Sequence, residues 1–216
     1  MAKVSADRRR PSQDRARVTR EQILDTAADL FGKRGIADTS TNRIAAQAEV
    51  SVGTVYRYFA DREAIVDELL ERLISGIEQR FTQQIFGIED QSFLRISTSI
   101  LEAITEELAD NAPLVRALAA GVQFYSSGIP ELEPRLRLLV KVLIIQVLGP
   151  GDDERYEVMS YVLVNTGFAA VLRACGPEVE ATERRRLITA TAEMIGAWAD
   201  SQVDAGVRGE FSEVHR

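Results

Sequence analysis

Between Thr39 and Phe59 the chain reads TSTNRIAAQAEVSVGTVYRYF, and its chemistry is concentrated at the end, where Tyr56, Arg57 and Tyr58 precede Phe59. Phenol hydroxyls and a guanidinium can donate to phosphate oxygens, and an arginine can hold guanine through two hydrogen bonds. Val55 and Phe59 are four apart and are expected to face a core, which turns Thr54, Tyr56, Arg57 and Tyr58 partly or wholly outward. Ser51 is suited to cap this helix, and Gly53 in its first turn withdraws a side chain where another backbone, of protein or nucleic acid, comes close. The plainer alternative for the aromatics is hydrophobic support. It is preferred for Phe59, while Tyr56 is assigned to DNA contact.

The elements that must position these groups are legible on both sides. A short helix starting near Ser40 or Thr41 places Ile44, Ala45 and Ala48 on one face, and Val50 plugs the turn that follows it. Two short helices joined by a tight turn form a helix-turn-helix, whose second helix fits the major groove. Ahead of them, Thr19 and Gln22 have the form of a capping box, and Ile23, Ala27, Leu30 and Phe31 repeat at helical spacing. Lys33 and Arg34 suit the last turn of that helix, and Gly35 stops it. A fourth helix capped by Asp61 carries Ile65, Leu69, Leu73 and Ile77 as a ladder toward Phe81 and Ile85.

These blocks resemble the DNA-binding domain of the tetracycline-repressor (TetR) family. The matching pieces are ILDTAADLF from Ile23 to Phe31, Gly35, IAAQAEVSVGTVYRYF from Ile44 to Phe59 and DREAIVDEL from Asp61 to Leu69, within about residues 16–76. Glu49 departs from the pattern, since the family often has glycine in that turn; it must adopt a left-handed conformation or shift the turn, at a cost of about 1 kcal/mol. The resemblance implies DNA contacts from Thr41, Asn42 and Arg43 at the start of the first motif helix. It implies others from Ser51, Val52, Gly53, Thr54, Arg57 and Tyr58 on the recognition helix, and phosphate contacts from Tyr56 and from Arg62 at the head of the fourth helix. It also implies a carboxyl-terminal helix pair that dimerises, and a small-molecule pocket whose occupant shifts the fourth helix and weakens operator binding.

Charge is divided along the chain. The 216 residues carry a net −7, yet residues 1–62 hold 12 basic and 8 acidic side chains, while the remainder holds 14 and 25. Cations are gathered where phosphates would be met, and the acidic remainder favours one orientation of approach. Residues 1–17, with Lys3, Arg8, Arg9, Arg10, Arg15 and Arg17 and no apolar face, are expected to form a flexible basic arm, either a solubilising tail or a further DNA contact. Residues 18–62 then form the DNA-binding domain, with its motif over 40–59. Residues 63–203 form a helical body and 204–216 a tail.

Within the body, periodic apolar residues and glycine or proline breaks predict helices over 92–109, 114–124, 132–148, 153–175 and 181–203. The last two carry small residues on apolar faces. Met159, Leu163, Gly167, Ala170 and Ala174 on one, and Met194, Ala197 and Trp198 on the other, are the expected dimer face, with intrachain core as the alternative. The candidate lining of a ligand pocket is Gln123, Phe124, Tyr125, Tyr161, Asn165 and Phe168, and the apolar run from Leu138 to Val147 suits a hydrophobic effector.

An enzyme is disfavoured. His215 is the sole histidine and lies in the tail, Cys175 is the sole cysteine, and the GPGDD turn at 149–153 lacks the lysine and hydroxyl of a phosphate loop. No cofactor or metal is expected. The absence of a long apolar run and of an apolar leader predicts a cytoplasmic protein with no membrane partner. The sequence thus predicts an all-α fold of about nine helices, in which a three-helix DNA-binding domain is joined by a long fourth helix to a ligand-binding and dimerisation body. The expected function is a homodimeric repressor of a palindromic double-stranded DNA operator, released by a small-molecule effector. The alternatives are a ligand-independent regulator whose body only dimerises or docks a protein, and an activator.

Overall fold

The computed structural model describes residues 6–85, 92–120, 129–176 and 178–213, and every regular element among them is an α-helix. In order these are α1 (Ala6–Arg34), α2 (Thr41–Gln47), α3 (Val52–Tyr58), α4 (Arg62–Ile85), α5 (Phe93–Asp110), α6 (Ala112–Ala119), α7 (Ile129–Leu148), α8 (Asp153–Ala174) and α9 (Ala181–Glu213). The all-α expectation therefore holds, with nine helices among the described residues. No helix among them is long and apolar enough to cross a membrane.

Helix starts follow the capping residues. The Ser40, Ser51 and Ser92 hydroxyls accept from the backbone N–H three residues on, and the Asp61 carboxylate accepts from the Ala64 N–H at 2.8 Å. Three turns among the described residues use left-handed backbone: Gly35 at φ +83° ends α1, Glu49 at φ +54° makes the turn between α2 and α3, and Gly149 at φ +81° follows α7. Of the two options open to Glu49, the chain takes the left-handed one, at a cost of order 1 kcal/mol.

Three helix boundaries differ from the sequence reading. α1 begins at Ala6, running through residues assigned to an arm, so Thr19 is not a cap; its hydroxyl donates back to the Arg15 carbonyl, and Gln22 donates to the Ala48 carbonyl at 2.9 Å. α7 begins at Ile129, with Pro134 inside it, and α9 continues to Glu213. Extending a helix already held by packing adds one hydrogen bond per residue fixed, so weakly patterned flanks join it readily.

The helices gather into two compact units. The first holds α1, α2, α3, α4 as far as Leu73, and α6 from Pro113. Its core is built by Ile23, Leu24, Ala27 and Phe31 from α1, Ile44 and Ala45 from α2, Val55 and Phe59, and Ile65, Leu69 and Leu73 from α4. Ion pairs from Arg20 to Glu68 and from Arg72 to Glu21 and Asp25 cross-link α1 and α4. The sequence reading placed α6 with the body; here it packs on α1, where Gly32 makes room, since a Cβ there would lie 2.5 Å from that of Pro113.

The second unit holds α4 from Ile74, α5, α7, α8 and α9, and its most extensive pairing is α5 with α9. Gly196 permits that approach, because a Cβ there would stand 2.6 Å from the Leu94 Cα. α7 and α8 are joined by an ionic cluster in which Glu157 bonds Arg137 at 2.7 Å and Lys141 at 2.6 Å, while Asp153 pairs with Lys141 at 2.7 Å.

Candidate nucleic-acid interface and effector cavity

The outward face of α3 is held from both ends. At its start the Ser51 hydroxyl accepts from the Thr54 N–H at 3.0 Å and lies 2.8 Å from the Thr54 hydroxyl. At its end Val55 and Phe59 are buried, and Arg20 of α1 lies over the Phe59 ring at 5.2 Å. Phe59 is thus hydrophobic support, as its spacing predicts. The turn that aims α3 is tied by the Val50 N–H to the Ala45 carbonyl and by Gln22 to Ala48.

Tyr56 has 52% of its surface exposed, and its hydroxyl lies 3.1 Å from that of Thr41. That bond joins the start of α2 to the middle of α3 and places two hydroxyls side by side on one face. Asn42, Arg43, Ser51, Val52, Gly53 and Arg57 are exposed around them, while Thr41, Thr54 and Tyr58 are half-buried. Arg57 stacks over the Tyr58 ring at 5.1 Å and makes no ion pair among the described residues, which leaves its guanidinium donors free. Arg43 gives one bond to the Asp38 carbonyl. A Cβ on Gly53 would meet nothing closer than the Ser51 hydroxyl at 3.8 Å, so packing within the chain does not require glycine there.

Arg62 is more committed than its position suggests. Its guanidinium donates to the Ile36 and Ala37 carbonyls, both at 3.2 Å, and to the Glu63 carboxylate at 2.7 Å. The hydrogen bond from Arg62 holds the Glu63 carboxyl below the usual carboxylate range. Arg62 therefore fastens the α1–α2 loop to α4, a role separated by about 25 residues in sequence and carrying no local signal. Thr39 has a comparable role that sequence reasoning missed; it is wholly buried and donates to the Gly35 carbonyl at 2.8 Å.

The second unit contains an apolar cavity of about 80 Å³ bounded by α4, α5, α7, α8 and α9. Phe168 lines it, alone among the candidate pocket residues that are described. Asn165 lines a neighbouring depression, and Tyr161 is exposed, with Arg137 stacked 5.6 Å above its ring. Gln123, Phe124 and Tyr125 lie outside the described residues. Of the apolar run on α7, Val140, Leu143 and Ile144 face the cavity, whereas Leu138, Val142 and Ile145 are exposed. Sequence reasoning overlooked the lining from α5, including Ser97, a polar residue in that helix's apolar face.

The candidate dimer residues divide by face. Met159, Gly167 and Ala174 are buried in the chain's own core, with Gly167 against Leu101 and Ile195, and Leu163 lines the cavity. Ala170 and Trp198 are half-buried; Met194 and Ala197 are exposed. On these two helices the large apolar residues left open are the candidate Met194 with Leu187 on α9, and Val158, Tyr161 and Val162 on α8. Those positions repeat at spacings of three, four and seven, a signal the sequence also carries. Two apolar faces on one helix cannot be ranked without knowing which neighbour covers each.

Residues 23–69 match the sequence profile of a family described as bacterial regulatory proteins, tetR family. An uncharacterized HTH-type transcriptional regulator of Mycobacterium tuberculosis (strain CDC 1551 / Oshkosh) is 31% identical over 173 residues, which cover 68% of this chain and 83% of that one. The HTH-type transcriptional regulator HbdR of Aromatoleum sp. (strain CIB) is 36% identical over 69 residues, spanning 32% of this chain and only 30% of that protein. A solved structure of a TetR-family transcriptional regulator from Syntrophomonas wolfei superposes with a TM-score of 0.68 at 20% identity, covering 85% of this chain and 95% of that one.

Proposed function

This chain belongs to the tetR family of bacterial regulatory proteins, and from that premise we propose that it is a homodimeric repressor that binds a palindromic operator and is released by a small molecule held in its second unit. It is a transcriptional regulator with a DNA-binding helix-turn-helix. The observation that carries the sequence-reading part is the face of α3, where the paired Thr41 and Tyr56 hydroxyls, the free Arg57 guanidinium and the bare Gly53 backbone lie together. Backbone contacts from Tyr56 and Thr41 set the register of α3, and Arg57 reads a base edge.

Dimerisation is supported by the open apolar residues of α8 and α9, which a second copy would cover. Two recognition helices related by a twofold axis then read half-sites one turn apart, roughly 34 Å, or a multiple of it. Release by a ligand is supported by the cavity between α5, α7 and α8. One observation favours a regulator that needs no ligand: at about 80 Å³ the cavity is well below the roughly 300–1,000 Å³ of typical ligand pockets. A ligand must therefore displace lining side chains.

Selection of bound duplexes from a random DNA pool tests the first claim. A recovered palindrome, bound with a steep loss of affinity as salt rises because on the order of five phosphates per subunit are neutralised, is the expected result. A single unrepeated half-site would argue against the dimer, and a flat salt response against the basic face.

A further inference from the structure

The lining of the cavity specifies more than size. Seventeen of the described residues surround it, from Phe81 on α4 to Ile195 on α9, and Ser97 is the one polar residue among those described. Ser97 is nine-tenths buried. Its neighbours on α5 show what a helical hydroxyl ordinarily does, since Thr98 donates to the Leu94 carbonyl at 2.8 Å and Thr105 to the Leu101 carbonyl at 2.6 Å. The Ser97 hydroxyl makes no hydrogen bond among the described residues, and its oxygen keeps some accessible surface, since the fully enclosed polar side-chain atom without a partner is Arg137 Nε. Ser97 faces an apolar space in which a guest would be the partner it lacks.

We propose that the effector is an electrically neutral, mostly hydrocarbon molecule whose single polar group, a hydroxyl or carbonyl, is hydrogen-bonded by Ser97. This rests on the reading of the cavity as the effector site. An ionised group placed there would lose its water and find no counter-ion on the described walls, because no ionisable side chain among the described residues lines them. The adjoining depression shares Leu136, Val164 and Phe168 with the cavity and offers no better anchor. Its carboxylate, Glu133, is paired with Arg137 at 3.4 Å, and its amide, Asn165, donates to the Tyr161 carbonyl at 2.9 Å. The free volume is about half that of an apolar cavity that holds benzene, roughly 150 Å³. The guest is thus small, or it enters by displacing the half-buried Leu163 and Phe168.

Four probes of one length decide this: hexane, 1-hexanol, hexanoate and hexylammonium, measured against the full-length protein at neutral pH by shift of its thermal midpoint and by release of the selected operator. The expected result is binding of hexane and 1-hexanol and none of the two ions at the same concentration. Ser97→Ala should weaken 1-hexanol relative to hexane by roughly three- to tenfold, the worth of one neutral hydrogen bond. Hexanoate or hexylammonium binding as tightly as 1-hexanol, equal effects of Ser97→Ala on both neutral probes, or no binding of either neutral probe would overturn the proposal. Two filled variants, Ser97→Leu and Gly167→Ala, separate it from the reading beneath it. If an ion binds and filling abolishes that binding, the cavity is the site and only the effector class is wrong; if all binding survives filling, the cavity is not the site. Should Ser97→Leu fail to fold, Gly167→Ala with NMR contacts between probe and the Leu101 and Val140 methyls gives the same answer.

Discussion

Gly53 in α3 and Gly196 in α9 are both glycines in ordinary helical backbone, where glycine costs about 0.5–1 kcal/mol relative to alanine in a helix interior. Gly196 is explained inside the chain. A Cβ there would collide with the Leu94 backbone, so the missing side chain is what lets α9 close on α5. Gly53 has no such explanation, for a Cβ would meet only a hydroxyl at 3.8 Å. The proposed contact of α3 with a duplex would use that open position. The same contrast holds for charge: Arg137 and Lys141 are engaged by Glu133, Asp153 and Glu157, while Arg57 on α3 is free of carboxylates among the described residues. Groups spent on each other hold the second unit together, and the uncommitted ones on α3 are those the proposed recognition would use.

The sharpest way to break this division is to remove the free groups. Arg57→Ala and Tyr56→Ala should each abolish measurable operator binding while leaving the dimer and the fold intact. A bidentate base contact is worth about 1–3 kcal/mol, and a palindrome loses it twice. Electrophoretic mobility shift with the selected operator, beside sedimentation of the free protein, gives both readouts. Loss of the dimer would mean these residues serve the fold after all. Next in size, Gly196→Ala should cost about 1–3 kcal/mol through overpacking against Leu94. It should lower the thermal midpoint without changing the affinity of the fraction that stays folded.

Much of the DNA-binding unit can be read locally. Ser40, Ser51 and Asp61 cap because their side chains reach N–H groups two or three residues away, and Val55 and Phe59 are buried because four residues make about one turn. What escapes the sequence is set by distant neighbours. Arg62 presents itself as a phosphate ligand until the Ile36 and Ala37 carbonyls are seen against it. Met159 and Ala174 read as a surface for a partner, yet α8 has a second apolar side carrying Val158 and Val162, and packing within the chain decides which is covered. Ser97 is unmarked in the sequence, since periodicity shows that a face is buried but not that a void remains beside it. The start of α1 was misplaced because a good cap at Thr19 was outweighed by continuation of the helix through residues ahead of it.

Gly53→Ala sharpens the comparison by separating the two properties in one substitution. With space for the methyl group, stability should stay level or rise by no more than about 0.5–1 kcal/mol. Operator affinity should fall, because the added carbon stands where the duplex backbone or a base edge approaches. Chemical denaturation and operator titration on the same preparation check both signs. Unchanged affinity would show that α3 docks with Gly53 away from the DNA.

The smallest expected effect lies in the ionic cluster of α7 and α8. Hydrogen bonds from Lys141 and then Arg137 hold the Glu157 carboxyl below its usual range, and those that Lys141 donates to Asp153 and Glu157 raise the ammonium above its own. A carboxyl lowered on folding stabilises the protein above its unfolded pKa, near 4.5, and that contribution disappears as pH falls through the lower folded value. A raised lysine contributes below about 10.5 and loses its contribution only as pH climbs through the folded value, so both are present at neutrality. Glu157→Gln should therefore lower the thermal midpoint slightly at neutral pH, with the gap from the unaltered protein closing below about pH 4. The effect stays small because the Glu157 side chain is 44% exposed and screened by water. Added salt should narrow that gap only modestly, whereas it should weaken the operator complex steeply, since phosphate contacts release counterions and an internal cluster does not. A gap unaffected by pH would mean that Glu157 acts through packing, and the cluster would then no longer distinguish the second unit from the free charge on α3.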